Sequence, residues 1–98
     1  MLATIKFTKH FLARLEDIFS ESEYSLRYER GNFQSGYCLL NEEKVAIVNK
    51  YFPLDSRISS LVEILRSINI NPEKLSVKNR KLFQEISQTV LKVWQLHF

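Results

Sequence analysis

Scarcity sets the first limits on this chain. A single cysteine, Cys38, among 98 residues permits no internal disulfide, and a lone thiol beside Leu39 and Leu40 reads as a small buried hydrophobe in a reducing compartment. The two histidines, His10 and His97, are far apart in sequence, and no second thiol stands at ligand spacing from Cys38, so no zinc motif is present. Two glycines and two prolines leave little punctuation, which implies regular elements joined by short loops. Both glycines, Gly31 and Gly36, fall between strands rather than before a helix, which excludes a phosphate-cradling glycine loop. No segment approaches the roughly 20 apolar residues needed to cross a bilayer. The opening Met1-to-His10 stretch, with lysines at 6 and 9, does not read as a signal peptide. A soluble cytoplasmic protein is the expectation.

What is present fits one small domain, residues 1–98. The hydrophobic fraction of 45%, with seven phenylalanines, four tyrosines and one tryptophan, suits a packed globule rather than a disordered chain. Fourteen basic and eleven acidic residues leave a formal charge of +3, which is short of the footprint of a dedicated nucleic-acid binder. The charge is unevenly spread: Glu16, Asp17, Glu21 and Glu23 crowd one segment, and Lys74, Lys78, Arg80 and Lys81 another.

Periodicity supplies the elements. Phe7, Phe11, Leu12, Leu15, Ile18 and Phe19 recur at spacings of three and four, predicting a helix over about 6–20. Tyr24, Leu26 and Tyr28 alternate with Ser25, Arg27 and Glu29, predicting a strand over 24–30. Gly31-Asn32 and Gly36 supply a turn that tolerates positive φ. A second strand follows over 37–40, then a turn at Asn41-Glu42-Glu43-Lys44. The third strand, Val45-Ala46-Ile47-Val48, is apolar on both faces and so reads as central or covered on both sides. Pro53 ends it. Asp55 or Ser56 is placed to cap a helix over 56–67, with Leu54 as a hydrophobic staple. Asn71-Pro72 opens a short turn, and Ser76 is placed to cap a last helix whose stripe is Leu82, Phe83, Ile86, Val90 and Trp94. The expected fold is α+β: a three-stranded antiparallel meander with helices packed on it, in the order αβββαα.

Three groups of residues invite a functional reading. Arg27, Arg30, Lys50 and Arg57, with Tyr37 and Asn49, form a candidate anion or partner contact. Arg57 falls in the first turn of a helix, where the dipole favours an anion rather than a cation, so either an anionic ligand or a salt bridge to Glu29 or Asp55 is expected beside it. Lys74, Lys78 and Lys81 lie at helical spacing with Arg80 nearby, as a phosphate-backbone contact or as a solvated face; no aromatics interleave to stack bases. Val90, Trp94 and Leu96 belong to a terminal helix that is apolar on more than one face. Its surplus suits self-association as a dimer, or Trp94 packs on the same core as Phe7 and Phe11. A small enzyme built on Arg27, Tyr37, Cys38 and His10 is a further alternative.

Arg27-Tyr28-x-x-Gly31-x-Phe33-x-x-Gly36-Tyr37-Cys38, followed by Ile47-Val48-Asn49-Lys50 and a helix after Pro53-Leu54, resembles a group of small bacterial proteins of αβββα layout without an assigned activity. That resemblance implies a fold and no chemistry. The order of elements also resembles the core of ImmA/IrrE-type zinc peptidases, in which the corresponding helix carries His-Glu-x-x-His. Aligning Glu63 with that glutamate puts Val62 and Arg66 at the histidine positions, so both ligands are missing and neither zinc nor hydrolysis carries over. The expectation is a non-enzymatic binding or protein-interaction module in a bacterial-type cytoplasm, homodimeric, with no cofactor, metal or membrane partner; a nucleic-acid-associated protein is the alternative. One consequence is directly measurable. Cys38, in a strand between apolar neighbours, should react slowly with a thiol reagent in the native protein and fully in denaturant; rapid native labelling would revive the enzymatic alternative.

Overall fold

The computed structural model describes the backbone of residues 5–40 and 43–97 and the side chains of residues 5–36 and 43–87. The first helix, α1 (Lys9–Glu21), starts three residues later than periodicity predicts, because the Thr8 hydroxyl accepts from the Phe11 amide at 3.1 Å and caps it. Phe11, Leu15, Ile18 and Phe19 are buried. Phe7, counted in the same stripe from sequence, precedes the helix and is 53% exposed. A Ser22 turn then leads into β1 (Ser25–Glu29), with the Ser22 hydroxyl donating to Phe19 O and accepting from the Tyr24 amide. The strands β2 (Gly36–Leu40) and β3 (Glu43–Asn49) follow, then α2 (Leu54–Ser67), one 3₁₀ turn (Pro72–Lys74) and α3 (Val77–His97).

The sheet overturns the antiparallel meander. Its spatial order is β1-β3-β2. β1 runs parallel to β3, with Ser25 opposite Val45 and Glu29 opposite Asn49, and β2 runs antiparallel to β3 from Gly36 opposite Ile47 to Leu40 opposite Glu43. The Gly31-Asn32 segment is therefore no hairpin turn. It belongs to a crossover, residues 30–35, that takes the chain from one side of β3 to the other. Burial explains the arrangement. Val45, Ala46 and Val48 are at most 1% exposed, and a strand so apolar is stabilised at the centre, whereas β1 exposes Ser25, Arg27 and Glu29 and suits an edge.

The helices pack on one face of this mixed sheet. Leu26 and Tyr28 of β1 and Ala46 and Val48 of β3 meet Phe11, Leu15 and Phe19 of α1, Ile58, Leu61 and Leu65 of α2, and Leu82 and Ile86 of α3 in one core. The opposite face carries Arg27 and Glu29, whose Nε and Oε2 lie 3.7 Å apart. Helix α2 begins two residues before the predicted start. Its N-cap is Pro53 without a side-chain bond, and Asp55 lies inside the first turn, accepting from the Ser56 amide at 2.8 Å, so neither Asp55 nor Ser56 is the cap. The predicted caps at Asn71 and Ser76 are present: Asn71 Oδ1 accepts from the Glu73 amide, and Ser76 Oγ from the Asn79 amide. Among the described residues no helix is long and apolar enough to cross a membrane.

Two buried asparagines hold the parts together. Asn49, 5% exposed, ends β3 beneath the crossover. Its Nδ2 donates to Gly31 O and Phe33 O, both at 2.8 Å, its Oδ1 accepts from the Tyr51 amide at 2.9 Å, and its own amide donates to Ser35 Oγ at 3.1 Å. Gly31 stands at φ +153°, and a Cβ there would lie 2.9 Å from the Phe33 ring, so this close passage requires glycine. Asn79, 2% exposed, starts α3 and donates through Nδ2 to Asp17 and Glu21 of α1 at 2.8 and 2.9 Å. Glu21 also accepts from the Ser76 amide, and these two bonds, the backbone one foremost, hold its carboxyl below the ordinary range. Acidic residues at the end of α1 thus serve the positive end of α3. Glu23 completes the junction by bonding Lys44 Nζ at 2.8 Å and Lys74.

Two measurements follow. Replacing Asn49 with alanine strands two carbonyls under the crossover and should lower unfolding free energy by about 2–4 kcal/mol in urea titration; an unchanged midpoint would remove Asn49 from its place in the fold. Hydrogen bonds to Lys44 and Lys74, reinforced by their charges, lower the Glu23 carboxyl from 4.5 to about 2. A carboxyl depressed in the folded state contributes stability that is complete above its unfolded value and is lost as pH falls from about 4.5 toward 2. The urea midpoint should decline across that window, and Glu23→Gln should flatten the decline. Because these groups are exposed, high salt should also flatten it.

Candidate functional site at the β3–α2 elbow

The chain leaves β3 through four residues, 50–53, before α2 begins. Every turn of this elbow is bonded. The Lys50 amide donates to Glu29 O at 2.8 Å, and the Phe52 amide to Asn49 O at 3.1 Å. Arg57, from the first turns of α2, reaches back to donate from Nε to Phe52 O at 2.9 Å and from Nη2 to Lys50 O at 2.6 Å. Its guanidinium also lies 5.6 Å from the centre of the Tyr28 ring. Arg57 thus satisfies backbone carbonyls rather than making the expected salt bridge: among the described residues it forms no ion pair with Glu29 or Asp55. Tyr28 in turn donates its hydroxyl to Glu16, and burial, followed by this bond, pushes the phenol above its ordinary value, so it stays protonated.

This bonding presents Tyr51 at the tip of the elbow, 68% exposed. Arg30 and Lys50 flank it on the adjoining strand ends, exposed and without an ion pair among the described residues. Beside the elbow lies an open cleft of about 510 Å³, lined by Phe7, Phe52 and, from α2, Asp55, Ser59, Ser60 and Glu63. Two smaller recesses also touch Glu63, one lined in addition by Arg66 and the other by Ser35 and Gly36.

The candidate residues from sequence separate into three fates. Arg30 and Lys50 come together at the elbow. Asn49 and Arg57 are there too, but as its internal ties, while Arg27 lies on the sheet face and pairs with Glu29. The backbone of Tyr37 pairs with Ala46 and that of Cys38 with Val45; their side chains lie outside the described residues, as do those of Val90, Trp94 and Leu96, although α3 itself continues to His97. In the second basic group, Lys74 is bound to Glu23, and Arg80 donates to Pro72 O and Leu75 O at 2.9 and 3.2 Å. Lys78 and Lys81 remain exposed on α3. Among the described residues no three His, Cys, Asp or Glu side chains are grouped to hold a metal.

Sequence reasoning missed Phe7, Tyr51 and Phe52. An asparagine two residues before Tyr51 and a proline two residues after it are the sequence trace of a turn here, but they do not say which of the side chains between them faces outward. No protein-family model, curated protein or solved structure matches this chain.

Proposed function

We propose that this protein is a non-enzymatic interaction module that binds a protein partner through the β3–α2 elbow, with Tyr51 at the centre and Arg30 and Lys50 beside it. The observation that carries the reading is Tyr51 itself, 68% exposed on a turn whose backbone is fixed by bonds from Asn49, Arg57 and Glu29. A large exposed tyrosine offers contact area at low side-chain entropy cost, and tyrosines dominate interface energetics. A contact held rigid before binding spares the ordering cost that usually weakens association. The basic group at 74–81 is less suited to partner contact, because Lys74 and Arg80 are already occupied within the chain.

The test is a benzophenone amino acid replacing Tyr51, and separately Val77, which is 78% exposed at the start of α3. After irradiation in cells, position 51 should give a discrete protein adduct that position 77 does not, and Arg30→Glu with Lys50→Glu should abolish it. Adducts at neither position, or equally at both, would contradict the reading.

A further inference from the structure

The elbow surface carries both signs of charge and both halves of an aromatic contact. Its basic edge is Arg30 and Lys50. Five residues beyond Lys50, Asp55 begins a carboxylate edge that Glu63 extends two turns further along α2, and both line the cleft. None of the four forms an ion pair among the described residues, in contrast to Glu23 with Lys44 and Lys74 or Arg27 with Glu29. The apolar parts match in the same way. Tyr51 projects from the elbow, while the adjacent Phe52, with Phe7 at 53% exposure, walls an open recess.

A twofold interface makes every contact twice, so a patch that closes on itself must contain each contact and its complement. This one does. We infer that the occupant of the elbow is a second copy of this chain, docked about a twofold axis so that the basic edge of each copy faces the carboxylates of the other and Tyr51 meets the partner's aromatic-walled cleft. The inference rests on the interaction reading above and names its partner. Such an interface needs to bury at least about 1,000 Å² in total to be stable, and its charged rim should make association weaken as salt rises.

Charge exchange tests it. Arg30→Glu/Lys50→Glu makes one variant and Asp55→Lys/Glu63→Lys the other, each checked for folding by thermal melting. Light scattering at high micromolar concentration should give twice the chain mass for the native protein and the single mass for either variant alone. An equimolar mixture of the two should recover the dimer mass, because one half of the interface then pairs exchanged charges and the other half native ones. If the Asp55 substitution prevents folding, Glu63→Lys mixed with Lys50→Glu gives the same readout. A native protein of single mass overturns the inference, and if position 51 still crosslinks to a different protein the broader reading survives. A dimer mass unchanged in both variants also overturns it, because the interface then lies elsewhere. Loss of all crosslinking at position 51 removes both.

Discussion

The crossover from Arg30 to Ser35 has to carry the chain past the end of β3, since β1 and β2 lie on opposite sides of that strand. A backbone segment pressed against a sheet end brings its carbonyls out of water, and each must find a donor. Asn49 supplies them. One amide group satisfies two crossover carbonyls with its hydrogens and fixes the following turn with its oxygen. The same residue therefore ties the crossover to the end of β3 and fixes the start of the elbow. Gly31 is required at this point because a side chain there would collide with Phe33, and Arg57 completes the arrangement by bonding the carbonyls of Lys50 and Phe52 that the turn leaves over.

A second junction organises the charge. The acidic end of α1 opposes its own dipole, which is unfavourable for an isolated helix. Packed in place, those carboxylates reach the start of α3 through Asn79 and the Ser76 amide, and Glu23 spans to Lys44 and Lys74. Much of the charge asymmetry visible in the sequence is thus an internal fit between elements distant along the chain. The elbow differs, since Arg30, Lys50, Asp55 and Glu63 form no ion pairs within the chain among the described residues. That contrast directs the functional reading toward the elbow rather than the basic end of the molecule.

The helices and most strand limits were legible because the apolar spacing in Phe11, Leu15, Ile18 and in Ile58, Leu61, Leu65 is unambiguous. The sheet order was not read correctly, although part of it could have been. An apolar run at Val45–Val48 favours a central strand, whereas a meander puts the middle strand, 37–40, at the centre. The conflict already spoke against a hairpin at Gly31-Asn32, and a glycine pair alone cannot distinguish a hairpin from a crossover. Arg57 was singled out for opposing its helix dipole, but its carbonyl partners are set by tertiary geometry that no local pattern encodes. The sequence does not mark Tyr51 as exposed, because the Tyr51-Phe52 pair ahead of Pro53 is equally compatible with the end of a core strand. Only the turn conformation shows that it points outward.

The central claim is that Asn49 fixes the crossover and the elbow as one unit. Amide hydrogen exchange tests it residue by residue. The amides of Tyr51, bonded to Asn49 Oδ1, and of Lys50, bonded to Glu29 O, should be protected nearly as strongly as those inside β3. In Asn49→Ala, Tyr51 should lose that protection while the amides of α1 keep theirs relative to global unfolding. A Tyr51 amide that exchanges in the native protein as fast as an unstructured loop would contradict the account.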